Sequence, residues 1–102
     1  MNNRPVGRLP LRISVEVHKE RRLLGNFITR DIDQAGVFVE AAEVDVYPNE
    51  ILSLVFNKSK QVSCIFKSRA IVMRREVDGI GLMFIEGDNV EMAAFLSDCR
   101  DS

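Results

Sequence analysis

Few residues in this chain carry groups that make or break bonds. Its single histidine, His18, falls in a polar stretch that reads as a surface turn, where a lone imidazole is a solvated side chain rather than a base. No serine or cysteine has a histidine partner in its sequence context, so nucleophilic catalysis lacks a proton acceptor. Asp31 and Asp33 stand two residues apart, a spacing that places both carboxylates on one face of a strand. No metal-ligating set accompanies them, and the pair alone does not make a catalytic centre. Gly79-Ile80-Gly81 lies between strand-like segments and reads as turn and bulge glycine, and no phosphate-cradling glycine loop precedes a helix. Cys64 and Cys99 are too few and too far apart for a zinc cluster or a disulfide framework, and are expected to be buried free thiols in a reducing compartment. These residues point away from an enzyme, and no cofactor or metal is expected.

The chemistry that remains is that of binding. Arg4 and Arg8 stand four apart in a short arm containing Pro5 and Gly7. The net charge of −1 conceals alternating blocks, +5 over residues 1–30, −6 over 31–57, +6 over 58–75 and −6 from 76 onward. Such blocks fit neighbouring strands on which opposite charges meet, and also a local basic arm that recruits an anion. The basic stretch 58–75 would need interleaved stacking aromatics to be a single-strand nucleic-acid platform, but the chain has 6 Phe, 1 Tyr and no Trp and most Phe sit at core-like parity, so neither DNA nor RNA is expected as a partner.

These groups must be positioned by strands. Leu11, Ile13, Val15 and Val17 alternate with Arg12, Ser14 and Glu16, the period of a half-buried strand. A turn is expected at 18–22, then strands at 23–30 and 37–41, the second opened by Gly36. Tyr47-Pro48-Asn49-Glu50 is a turn signal, followed by a strand at 51–56, a loop at 57–60 and a long strand at 61–76. Asp78-Gly79 marks a hairpin into a last strand at 81–85. Phe38, Phe56, Phe66 and Phe84 read as core, Met73 and Met83 as core filler, and Lys67, Arg69, Arg74 and Arg75 as a solvated face. Asp88 and Glu91 form a capping box, after which Met92, Phe95, Leu96 and Cys99 share one face of a short helix. The fold expected is mainly β, a six-stranded antiparallel β-barrel with a C-terminal α-helix covering an end or side.

Length and composition agree. At 102 residues the chain has room for one domain, and 46% hydrophobic with 28% charged residues belongs to a globular protein. No apolar run approaches the roughly 18 residues that span a bilayer, and no apolar stretch follows the N-terminal arginines as in a secretory leader. A protein not embedded in a membrane, cytoplasmic, and a monomer or homodimer is expected. The chain divides into a flexible arm, residues 1–10, and a barrel with its helix, residues 11–102.

Taken in order, Arg4-Pro5-Val6-Gly7-Arg8, then Asp31-Ile32-Asp33-Gln34-Ala35-Gly36 before Val37-Phe38-Val39, then Gly79-Ile80-Gly81-Leu82-Met83-Phe84, the chain resembles the PilZ domain over roughly residues 4–98. The resemblance implies a receptor for the bacterial second messenger cyclic di-GMP, with that ligand and a downstream protein as partners. It assigns the family's two arginines to Arg4 and Arg8, and its D/N-x-S-x-x-G motif to Asp31, Asp33 and Gly36. Arginine's planar fork binds phosphate bidentately, reaches O6 and N7 of guanine, and stacks on a base. The Asp31 carboxylate would accept from the N1–H and N2–H of guanine. Gly36 would permit a backbone approach that a Cβ blocks.

Two alternatives stay open. Arg8 and Arg12 form a second Arg-x-x-x-Arg, with Arg12 on the polar side of the first strand. Asp33 stands where the family has serine, bringing a charge that costs about 0.7 kcal/mol in water, or about 3 kcal/mol at an effective dielectric near 20, at about 6 Å from a phosphate. That is about 3-fold to 100-fold in affinity. A PilZ-fold protein–protein adaptor that binds no nucleotide is the second reading.

Overall fold

The computed structural model describes residues 11–57, 65–85 and 94. Six strands follow in chain order: β1 (Ser14–Lys19), β2 (Arg22–Ile32), β3 (Gly36–Glu40), β4 (Ile51–Asn57), β5 (Ile65–Glu76) and β6 (Gly79–Phe84). All pairings are antiparallel, and the order β1-β2-β3-β6-β5-β4 closes into a barrel through β1 and β4. The expected arm, with Arg4 and Arg8, and all of the expected C-terminal helix but residue 94, Cys99 included, lie outside the described residues, as does Cys64.

Alternation puts one set of side chains inside. Val15, Val17, Leu52, Leu54, Phe56 and Val72 are all but inaccessible, while their outward neighbours Ser14, Glu16, Ile51 and Met73 are exposed. Phe56 contacts the partly buried rings of Phe66 and Phe84, at 6.3 and 6.1 Å between centroids. Those three phenylalanines are therefore core or core-facing, as their parity indicates.

Four expectations need correction. His18 is the fifth residue of β1, not part of a turn, and lies 3.1 Å from Glu16. The turn is shorter, and Glu20 makes it by adopting a φ of 60°. Met73 and Met83 are 51% and 44% exposed, because the β5 and β6 parity that buries Val72 and Leu82 turns both methionines outward. Gly79 and Gly81 belong to β6, and the irregularity opposite them is on β5, where Met73 is the extra residue between Val72 and Arg74. Gly79 serves instead as a close approach: a Cβ there would stand 2.3 Å from the Val39 carbonyl oxygen.

Candidate functional site

Everything around the candidate site hangs on the junction of β2 and β3. In β2, Thr29 pairs with Val39 but Asp31 pairs with Phe38, so Arg30 is an extra residue. This bulge resets the alternation. Thr29 and Ile32 both point inward and are fully buried, and the two residues between them, Arg30 and Asp31, are left on the outer side.

Asp31 is partly buried near the end of β2. Asp33 follows in the turn, so the two carboxylates do not lie side by side on one strand face. The Asp33 amide donates to the Gly36 carbonyl at 2.9 Å, while its Oδ1 accepts from the amides of Ala35 and Gly36 at 2.7 and 2.9 Å. Asp33 thus binds its own turn, as a short oxygen-bearing side chain does in an Asx-turn. A serine hydroxyl in the same position could accept such bonds too, so the turn does not depend on the carboxylate. Gly36 is buried and pairs with Met83 of β6, and the Phe84 amide donates to Ala35 at 2.9 Å, which locks the turn to β6.

The root of β1, residues 11–13, is fixed by one hydroxyl. Thr29 Oγ1 donates to the Leu11 carbonyl at 2.6 Å and accepts from the Ile13 amide at 2.8 Å, and the Thr29 amide donates to the Ile13 carbonyl at 2.9 Å. Ser14 pairs with Ile28 in antiparallel register. Stepping back from Ser14 along the chain is therefore stepping forward from Ile28 along β2, toward Asp31 and its turn.

Beside this root lies a charged cluster. Arg12 places Nη1 and Nη2 on the two carboxylate oxygens of Glu40, both at 3.1 Å. Arg30 reaches the same carboxylate through Nε at 3.4 Å and Asp78 through Nη2 at 2.7 Å. The hydrogen bond from Arg12 holds the Glu40 carboxyl below its usual range, and that from Arg30 does the same for Asp78. The Arg30 guanidinium lies 4.4 Å from the centroid of the Phe38 ring, and that of Arg74 lies 5.8 Å from it. Phe38 is only 2% exposed, yet it alternates with the inward Val37 and Val39. It is buried, as expected of a core residue, but on the outer side of the sheet, beneath arginines and against Gly79.

The bulge, the Thr29 clamp and the Arg12–Glu40–Arg30–Asp78 cluster were absent from the sequence reading. Only the charge blocks hinted at the last, since the basic stretch 1–30 and the acidic stretch 31–57 meet in the pairs of Arg12 and Arg30 with Glu40 and of Lys19 with Glu50. Among the described residues no three His, Cys, Asp or Glu side chains group as a metal site, and no helix is long and apolar enough to cross a membrane. An open hollow lined by Lys19, Glu20, Arg21 and Arg22 lies at the opposite end of β2 from Asp31.

Among curated proteins, none matches the chain. The family model for the PilZ domain matches residues 2–99, which takes in the barrel and the segments before and after it. With a match over nearly its whole length, and a closed six-stranded antiparallel barrel that carries the Asp31-to-Gly36 turn beside the start of β1, the chain belongs to the PilZ domain family.

Proposed function

We propose that this protein is a non-catalytic receptor that binds cyclic di-GMP between its N-terminal arm and the outer face of β2 and β3. The family is generally a cyclic di-GMP-binding one. The observation that supports the reading for this chain is the Thr29 clamp, which with the β1–β2 register holds Leu11 to Ile13 beside the Asp31 end of β2. Arg8 is three residues before Leu11, within about 10 Å of it along an extended chain, and Arg4 within about 25 Å. That length of chain is enough for both arginines to contact a ligand over the β2–β3 turn.

In this reading Arg4 and Arg8 grip phosphate and stack on guanine, and Asp31 accepts from the guanine N1–H and N2–H. Asp33 acts through the turn it holds, with part of its charge taken up by two backbone amides. Gly36 keeps the backbone close to β6, leaving the turn low under the ligand. Ligand orders the arm against the barrel, and the ordered arm changes contacts with a downstream protein. The protein works in the cytoplasm, as a monomer or homodimer.

Calorimetric titration with cyclic di-GMP near physiological salt, with GTP as control, tests the proposal. Saturable binding at micromolar or tighter is expected. Arg4→Ala and Arg8→Ala should each weaken it about 10-fold to 100-fold, the scale of charge-assisted hydrogen bonds. A double variant that binds like the wild type overturns the reading. Absence of heat at high concentration would leave a protein–protein adaptor built on the same barrel.

A further inference from the structure

Glu40 is placed as a bound phosphate would be. Two guanidiniums converge on it: Arg12 fork-to-fork at 3.1 and 3.1 Å, and Arg30 through Nε at 3.4 Å. This is the bidentate geometry with which arginine takes either a carboxylate or a phosphate. By contrast, Glu50 pairs with Lys19 alone and Glu76 with Arg74 alone among the described residues. The cluster is open to solvent, with the Arg12 side chain 60% and the Glu40 side chain 33% exposed, so the carboxylate has room to swing aside. It also lies at the root of the arm, one residue before the clamped Ile13 and on the same outer face as Asp31.

We propose that Arg12 and Arg30 form a second phosphate-binding pair of the receptor site, and that Glu40 occupies it until a ligand phosphodiester takes its place. The inference rests on the receptor reading and deepens it. A carboxylate and a phosphodiester each bring one negative charge and two acceptor oxygens, so the exchange keeps both arginines paired and moves no proton. Arg30 stays oriented throughout by Asp78 and the Phe38 ring. A cyclic dinucleotide has two phosphodiesters, one for the arm arginines and one for this pair. Glu40 then acts as an internal competitor that sets the affinity.

The test titrates cyclic di-GMP into the full chain and three variants, with thermal melts to confirm folding. Glu40→Gln keeps size and an acceptor but removes the competing charge, and should bind about 10-fold tighter than the wild type, within the range a single charge at about 6 Å commands. Arg12→Gln should bind about 10-fold weaker. In the Arg12→Gln/Glu40→Gln double variant the gain should shrink to under about 3-fold. Equal or weaker binding by Glu40→Gln, together with an unaffected Arg12→Gln, overturns the pair while leaving the receptor reading intact. If neither wild type nor Glu40→Gln binds cyclic di-GMP, the receptor reading falls. The pair is then judged with inorganic pyrophosphate, which must raise the melting temperature of Glu40→Gln and not that of the double variant.

Discussion

On the outer surface of β2 and β3 an aromatic ring is sealed from water, while on the outer surface of β4, β5 and β6 aliphatic side chains stand in it. Phe38 is 2% exposed beneath Arg30 and Arg74. Across the other face Ile51 pairs with Ile71 and Ile71 with Met83, and Ile51 and Met83 are 48% and 44% exposed. Both faces belong to one sheet and share one pleat. The difference is in what flanks the apolar groups. Carboxylates on β3 and at the β5–β6 turn hold the Arg30 guanidinium over Phe38, whereas Ile51 and Met83 stand open to solvent. An outward apolar residue is thus buried when ion pairs fasten a cationic lid above it.

The contrast can be broken by mutation. Phe38→Ala should cost about 4 kcal/mol in urea unfolding, as for a core ring, although the ring is outside the barrel. A loss under about 1 kcal/mol would show that the arginine lid does not exclude water. Gly79→Ala should cost about 3 kcal/mol, since its Cβ would meet the Val39 carbonyl and the Phe38 ring at 2.3 and 2.6 Å. Unaltered stability there would mean that β3 and β6 give way easily.

Acid should loosen the sealed face more than the open one. The carboxyls of Glu40 and Asp78 are held below their usual range by Arg12 and Arg30, so they bind protons less readily folded than unfolded. Their contribution is present above the unfolded value of about 4 and is lost as pH falls through the lowered folded values. Asp78→Asn should flatten that part of the stability profile, and an unchanged profile would remove Asp78 from the account. The smallest effect belongs to the open face. Met83→Thr should shift stability by no more than about 0.5 kcal/mol.

Much of the barrel was legible because strand period and turn chemistry are local. The alternation from Ile13 to Val17, the Tyr47-to-Glu50 turn and the Asp78-Gly79 hairpin are all found, the second closed by a Glu50 amide donating to the Tyr47 carbonyl at 3.2 Å. That Phe38 is buried was legible, but not on which side of the sheet, because Val-Phe-Val reads as a continuous apolar run, and such a run cannot say which residue faces in when both sides are covered. The bulge at Arg30 depends on a partner strand that the sequence of β2 does not mention. Likewise Arg12 meets Glu40 from 28 positions away, and Arg30 meets Asp78 from 48. Charge blocks show that such encounters are favourable but not which residues make them. Of the site itself, the Asp31-to-Gly36 turn was visible as a motif. The role of Asp33 within it needed the positions of the Ala35 and Gly36 amides.

Closure of the barrel also governs how the chain reaches this state. Three of its pairings join strands linked by short turns, and such hairpins form in about 1–10 μs. The seams that complete it pair Ser14 with Asn57 and Gly36 with Met83, each more than forty positions apart. Loop-closure entropy must be met before those contacts return anything, which places folding in the millisecond-to-second range of β-barrels. During that interval the backbone of β1, β4, β3 and β6 is available to neighbouring chains. The hazard of intermolecular strand pairing therefore belongs to the newly made protein, and ends when the two long seams close.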